Sequence, residues 1–381
     1  MIYRKFGNTG EQISALGYGC MRLPELQKED GSFDMDYGRC DEMLRRAYDL
    51  GVTYFDSGSS YCHSNSERAV GHALKPFREK ILISTKCPME EIHKKEDYAA
   101  HLEESLRKLD TDYVDFYHFW ALNKDRFDNV VLKYGLLDEA LRLKAEGKIK
   151  HISFSFHDDP SVIKYIIDTA PMMETMLAQY NLLDRSNEEM FAYAHEKGLG
   201  TVVMGPVGGG RLAAPTSLYQ KLTGRNAEVA TYELALRFVL GNPNISCALS
   251  GMTSVEMVEQ NAAVASIENP MSEEDWKLVA EASENVKKFS ELYCTGCNYC
   301  QPCPAGIQIS SAFQAYTYHN VYGLTDAAKN AYAAYVKNPW TNEECKTAKD
   351  CLNCGYCERQ CPQHLKIRDE LKRVEKVLAG L

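Results

Sequence analysis

The sequence predicts an eight-stranded parallel (β/α)8 barrel of the TIM type, followed by a small, mainly helical module rich in cysteine. Strand-like and helix-like hydrophobic patterns alternate eight times between residues 13 and 266. Polar side chains close three successive strands of that series. Nine of the 14 cysteines crowd between Cys294 and Cys361. The barrel is expected over residues 1–285 and the module over 286–381.

Residues 1–13 read as a hairpin turning at Gly7-Asn8-Thr9-Gly10. A first barrel strand follows over 13–19. The helix expected over 36–50 sets Met43, Leu44, Ala47 and Leu50 at helical spacing. Strand 52–55 is β-branched and aromatic, and it stops at a Gly and Ser cluster. Helix 66–74, strand 81–85, helix 97–109, strand 113–117 and helix 136–146 continue the rhythm, and Gly147 ends the last helix. Strands at 149–156, 175–180, 200–204 and 245–249 then alternate with helices at 161–168, 187–197, 227–240 and 254–266. A Gly-rich loop over 205–224 breaks the regular spacing. An open doubly wound sheet would carry a Gly-rich dinucleotide fingerprint after its first strand. Gly17-Tyr18-Gly19-Cys20-Met21-Arg22 does not fit that pattern. Beyond the break at Asn269-Pro270, residues 272–289 read as one more helix and 308–336 as a helical insert.

The formal net charge of −10 argues against nucleic acid or anionic lipid as the main partner. No apolar run approaches the length of a membrane span. Met1-Ile2-Tyr3-Arg4-Lys5-Phe6 opens no apolar leader. A cytoplasmic protein is therefore expected. In that compartment the scattered Cys20, Cys40, Cys62, Cys87 and Cys247 read as small buried hydrophobes. The crowded nine read as metal ligands rather than a disulfide framework.

Asp56 sits where strand 52–55 becomes loop, and Tyr61 follows five residues later. Lys86 closes strand 81–85 and His118 closes strand 113–117. In a parallel barrel all strand C-termini face one rim, where active sites lie. The four would converge there. Together they suit proton delivery to a developing alkoxide. A free tyrosine, with a pKa of about 10, is a poor partner near neutral pH. A nearby ammonium lowers that pKa, and an aspartate keeps the ammonium charged and fixed. A histidine can bond the substrate oxygen and help relay the proton.

The run Phe55-Asp56-Ser57-Gly58-Ser59-Ser60-Tyr61, then Ser66-Glu67-Arg68-Ala69-Val70-Gly71-His72-Ala73-Leu74, resembles the signature of the aldo-keto reductases. Ser84-Thr85-Lys86 and Asp115-Phe116-Tyr117-His118 match that family's lysine and histidine strands. The resemblance covers roughly residues 1–285. It implies a barrel that binds extended NADP or NAD and reduces a small-molecule carbonyl. Tyr61 would be the general acid, Lys86 and Asp56 would tune it, and His118 would orient the carbonyl.

Further positions follow from the same resemblance. Ser155 and Gln179 would hold the nicotinamide carboxamide, and Met204 would lie against its ring. Gly205, Pro206, Val207, Gly208, Gly210 and Arg211 match the loop over the pyrophosphate, where glycines allow close backbone approach. Ser250, Gly251 and Met252, with Glu259 and Asn261, match the adenosine-phosphate segment. Two departures stand out. Phe156 replaces the family's usual Asn. Gly251 and Met257 stand where many members place a basic or amide side chain for the 2′-phosphate, so NADH is as open as NADPH. Phe119, Trp120 and Leu122 read equally as an apolar pocket wall and as core.

The cysteines fall in two runs. Cys294, Cys297, Cys300 and Cys303-Pro304 form the first; Cys351, Cys354, Cys357 and Cys361-Pro362 form the second. The second is the bacterial ferredoxin spacing C-x2-C-x2-C-x3-C-P, and the first is one residue short before its last cysteine. The pair resembles a dicluster ferredoxin with a helical insert. It predicts two [4Fe–4S] clusters with crossed ligation, Cys303 and Cys361 each reaching the other run's cluster. Zinc is the alternative, since CxxC pairs also bind it. Cys345 is the spare.

The leading expectation is an NAD(P)H-dependent carbonyl reductase carrying an iron–sulfur module, with a redox partner protein possible at that module. The alternative is an electron-transfer or redox-sensing protein whose barrel serves as scaffold. An intact set of four rim residues favours the enzyme.

Overall fold

The computed structural model describes residues 1–182, 184–208, 212, 231–277, 279–280, 294, 300–320, 323–339, 342–361 and 365–381. The chain divides into two compact units; of the described residues, 1–208 and 232–271 belong to one, and 212, 231 and those from 272 onward to the other.

Strands are numbered in chain order. β1 (Tyr3–Lys5) and β2 (Gln12–Ser14) pair antiparallel as the predicted hairpin. Gly7 and Gly10 take φ of 58° and 88° at its turn, a region that favours glycine. β3 is Leu16–Gly19, so the strand expected over 13–19 is split between hairpin and barrel. β4 (Glu25–Gln27) and β5 (Phe33–Met35) form a second small hairpin that the sequence reading did not anticipate. β6 (Tyr54–Asp56), β7 (Leu82–Cys87), β8 (Val114–Leu122), β9 (Ile149–Phe156), β10 (Thr175–Gln179), β11 (Gly200–Met204) and β12 (Cys247–Ser250) follow. Together with β3 they close a barrel in sequence order, β12 pairing parallel with β3 to shut it. The predicted eight-strand barrel is thus the observed fold.

The inner face follows from strand periodicity. Tyr54, Leu82, Phe116, Leu177, Val202, Cys247 and Leu249 pack into one buried cluster inside the barrel. Side chains two residues on point the same way. Counting forward by two from these residues reaches Asp56 on β6, Ser84 and Lys86 on β7, His118 and Trp120 on β8, Gln179 on β10 and Met204 on β11. Phe6, from the β1–β2 hairpin, joins the same cluster with no exposed surface. A Cβ on Gly200 would lie 2.3 Å from the Phe6 ring, so only glycine leaves room for this plug.

The helices around the barrel match the predicted series closely. Tyr37–Asp49 is capped by Asp36, whose carboxylate accepts from the Arg39 N–H. Ser66–Leu74 buries Ala69, Val70, Ala73 and Leu74. Gly71 approaches the Leu109 backbone there, and a Cβ would sit 2.4 Å from the Leu109 carbonyl oxygen. β8 runs five residues beyond its predicted end, with a register irregularity between Phe119 and Leu122 and Ala121 at φ 49°. His118 is consequently inside a strand rather than at its close.

In the second unit the expected insert is two helices, Ile309–Asn320 and Thr325–Val336, separated near Gly323 at φ 68°. A terminal helix, Ile367–Leu378, buries Ile367, Leu371, Val374 and Leu378 on one face. Arg373 Nη1 on that helix donates to the Tyr316 hydroxyl of the first insert helix at 2.5 Å. The Tyr335 hydroxyl of the second donates to Glu375 at 2.6 Å. Most of the helix expected over 272–289 lies outside the described residues. No helix among the described residues is long and apolar enough to cross a membrane.

Candidate active site

Asp56, Lys86 and His118 come from three neighbouring strands, with Lys86 directly opposite His118 in the β7–β8 register. The Lys86 ammonium lies 2.5 Å from Asp56 Oδ2 and also donates to the Ser57 carbonyl. Ser84 donates to Asp56 Oδ1 at 2.6 Å. The same oxygen is 3.9 Å from His118 Nε2, and that nitrogen is 3.5 Å from the Tyr54 hydroxyl. Tyr61 follows a loop that starts after Asp56. The Lys86 ammonium lies 4.6 Å from the centre of its ring, and the Trp120 indole meets that ring edge-on at 5.5 Å. All four predicted rim residues are therefore brought together.

The electrostatics depart from expectation at Tyr61. Burial raises its pKa; Lys86 opposes the rise and Asp56 adds to it, and the balance stays upward. The expected lowering by Lys86 is present but is outweighed by desolvation. Tyr61 is thus a phenol, not a phenolate, at neutral pH. Burial also works against the Lys86 charge, yet Asp56 and then Tyr61 more than offset it, and its pKa is raised. His118 is pushed down to about 4, first by burial and also by Lys86, against the upward pull of Asp56. It is neutral across the physiological range.

A second layer holds this set. Thr85, beside Lys86, donates to Glu67 at 2.6 Å, and Glu67 is 1% exposed. Lys108 reaches Glu67 at 3.6 Å and the Ser59 carbonyl of the Tyr61 loop at 3.4 Å. The sequence reading missed Ser84, Tyr54 and Lys108. Period-two counting from Lys86 and Asp56 would have found the first two. Cys62, His63 and Ser64, just past Tyr61, take φ of 51°, 48° and 68°. His63 there stacks on Phe33 of β5, centroids 4.0 Å apart, and meets Glu25 of β4 at 2.8 Å. Of the apolar residues considered for a pocket, Trp120 faces the site. Phe119 points outward and stacks on Tyr98 of the Lys95–Leu109 helix, a core role.

The predicted cofactor residues occupy the other arc of the rim. Gln179 pairs with Met204 across β10 and β11, and both are half-buried where the strands emerge. Ser155, opposite Leu177, accepts from the Ala121 N–H at 2.7 Å, which leaves its hydroxyl proton free to donate. Gly205 sits at φ 63°, where a Cβ would lie 2.9 Å from the Gln179 side chain. Pro206 and Gly208 are buried and Val207 is half-buried; Gly210 and Arg211 lie outside the described residues. Asn261 donates to Ser250 at 3.1 Å, and Met252 is buried with its carbonyl accepting from Tyr18 at 2.8 Å. Glu259 is engaged by Arg46 at 2.8 Å, and Gly251 is exposed. These polar groups and the close-approach glycine are of the chemical kind that could hold a nicotinamide cofactor.

In the second unit, Cys303, Cys351, Cys354 and Cys357 line one cavity, with Ile307, Ile309 and Leu371 among its apolar walls. Asn353 at φ 53° and Gly355 at φ 68° curl the loop, and the Asn353 N–H donates to Cys351 Sγ at 3.4 Å. Thiols spread round a cavity, with an N–H aimed at one sulfur, fit a multi-atom cluster. Among the described residues no group of three or more His, Cys, Asp or Glu side chains is arranged to hold a metal ion. Cys294, Cys300 and Cys361 are described and Cys297 is not. The five scattered cysteines are all buried, as expected.

Comparison with known proteins places these features. The model described as "Aldo/keto reductase family" matches residues 15–284, and that described as "4Fe-4S dicluster domain" matches residues 293–366. An L-galactose dehydrogenase of Arabidopsis thaliana is 29% identical over 319 residues, 75% of this chain and 96% of its own length. An NADH-specific methylglyoxal reductase of Escherichia coli is 24% identical, over 74% of this chain and 98% of its own. Among solved structures, the holo form of the aldo-keto reductase AKR11C1 from Bacillus halodurans is similar with a TM-score of 0.62 at 25% identity, covering 74% of this chain and 96% of its own.

Proposed function

Because the chain belongs to the aldo/keto reductase family, we propose that this oxidoreductase reduces an aldehyde or ketone to an alcohol with NADPH or NADH, using Tyr61 as general acid. The observation that carries the reading is the buried Lys86–Asp56 pair beneath the Tyr61 ring. A nicotinamide cofactor supplies the hydride when bound, and [4Fe–4S] clusters supply one-electron transfer. Ser155 and Gln179 would hold the carboxamide, and Gly205 and Gly208 would let backbone approach the phosphates.

The chain's own residues then handle the proton. Neutral His118 turns Nε2 toward the site and orients the carbonyl oxygen. Tyr61 is protonated at neutral pH and so can give its hydroxyl proton to the developing alkoxide. The phenolate left behind is stabilised by the Lys86 ammonium, which Asp56 and the Ser57 carbonyl keep charged and in place. Trp120 shields one edge of the ring.

In the C-terminal module, Cys351, Cys354, Cys357 and Cys303 would hold one [4Fe–4S] cluster, and Cys294, Cys297, Cys300 and Cys361 a second. The four thiols around one cavity support this crossing. The hydride reading is tested with cofactor deuterated at C4 of the nicotinamide. Deuterium on the former carbonyl carbon of the alcohol is expected. Alcohol formed without it, from cofactor deuterated on either face, would refute hydride transfer.

A further inference from the structure

We infer that the face of the C-terminal module around Leu352 is a docking surface for an acidic one-electron carrier protein. The inference rests on the proposed ligation of a cluster by Cys303, Cys351, Cys354 and Cys357. Leu352 lies between two of those ligands and is 66% exposed. Cys354, two residues on, is exposed as well. A large apolar side chain standing in water next to two ligands offers a contact point within a few bonds of the bound metal. Such a contact suits a small, short-lived redox encounter.

Charge selects the partner. Cys351 is also one wall of an open cleft that Lys349, Lys372 and Lys376 line. All three lysines are exposed. None of them takes part in the module's ion pairs among the described residues, which join Lys346 to Asp350, Arg368 to Glu358 and Arg373 to Glu370. Glu375, the acid of the cleft, is turned inward by the Tyr335 hydroxyl and the Ala348 N–H. Lys372 and Lys376 stand four residues apart on one helix, an arrangement of like charges that costs stability. Residues 345–381 hold eight Lys and Arg against five Asp and Glu, in a chain whose net charge is −10. That stretch is net positive, unlike the chain as a whole. Unpaired ammonium groups in a cleft that shares Cys351 with the cavity Leu352 lines steer an acidic protein toward that apolar contact. Exchange there moves one electron between the carrier's own redox centre and the bound cluster, with no bond made or broken.

The test uses the full chain, reconstituted anaerobically. Iron and acid-labile sulfide are measured first, because their absence would refute the cluster reading itself. The probe is oxidised plant-type ferredoxin, an acidic [2Fe–2S] protein, titrated at low and at moderate ionic strength. Binding that weakens with salt is expected. In the triple variant Lys349→Glu, Lys372→Glu, Lys376→Glu, affinity should fall at least about tenfold and lose its salt dependence, with iron content unchanged. Leu352→Ala, which leaves the charges alone, should weaken binding without altering the salt dependence. An iron-loaded wild type that does not bind the probe, or a triple variant with wild-type affinity, would overturn the proposal. So would a triple variant that moves the cluster's midpoint potential but not the affinity, because the lysines would then only balance the cluster's charge.

Discussion

Lys86 and Asp56 meet at 2.5 Å on neighbouring barrel strands, with 1% and 2% of their side chains exposed. Neither charge has water to fall back on, so each depends on the other. Ser84 donates to Asp56 and the Ser57 carbonyl accepts from Lys86, so each charge has a further hydrogen-bond partner. Such a pair is no strong source of net stability, but breaking it strands a buried charge.

Asp56→Asn should therefore cost roughly 3–5 kcal/mol of stability, the range seen when one partner of a buried pair is removed. Lys86 should lose its raised pKa, and carbonyl reduction should fall with it. Chemical denaturation followed beside turnover checks both. Wild-type stability in this variant would mean that the pair is not formed in solution.

His118 sets a pH signature. Its native pKa is about 4, well below the ordinary 6.5 of the unfolded chain, with burial the first cause. Between about pH 6.5 and 4 the unfolded chain takes up a proton that the native protein refuses. Stability should thus fall as pH is lowered through that window, by roughly 3 kcal/mol from this group. His118→Gln should flatten the slope there. Denaturation midpoints of both proteins at pH 7 and pH 4.5 measure it; equal slopes would contradict the buried neutral imidazole.

Cofactor choice should be weakly discriminated. Gly251 brings no side chain, and Met257 is 42% exposed and uncharged. A preference for NADPH over NADH below roughly a hundredfold, about 2.7 kcal/mol, is expected. Dissociation constants for the two cofactors decide it. A larger preference would require a phosphate clamp elsewhere, Arg211 being the first residue to replace.

Iron content tests the two-cluster reading. About eight irons per chain are expected after full anaerobic reconstitution, from two four-iron centres. Cys303→Ser should damage the cluster bound by Cys351, Cys354 and Cys357, and Cys361→Ser the other. A ceiling near four irons in the wild type would leave a single centre.

The barrel was legible because strand-like and helix-like patterns alternate at regular spacing, and because Gly147, at φ 78°, follows the Leu136–Ala145 helix as a recognisable stop. Asp56, Lys86 and His118 were legible because they stand at or near strand ends in a parallel series. Ser84 and Tyr54 were not singled out, since a serine or tyrosine inside a strand looks like packing until the inner face is known. Trp120 and Phe119 could not be sorted for the same reason: adjacent residues on a strand face opposite sides. The β4–β5 hairpin escaped because its strands are three residues each, too short for periodicity to register. The left-handed run at Cys62, His63 and Ser64 has no residue preference behind it; contacts such as His63 on Phe33 accompany it. The Tyr61 pKa was misjudged because the sequence shows the neighbouring charge but not the depth of burial that outweighs it.

The central claim is that the Tyr61 hydroxyl delivers the proton, and Tyr61→Phe tests it most directly. The ring stays, so its packing against Trp120 and Lys86 is kept, and only the hydroxyl is lost. Single-turnover reduction of a panel of aldehydes and ketones, with cofactor affinity measured alongside, separates chemistry from binding. Cofactor dissociation constants near wild type and a rate lower by about 10²–10⁴ are predicted, the usual worth of a positioned proton donor. A variant that turns over near the wild-type rate would contradict the account.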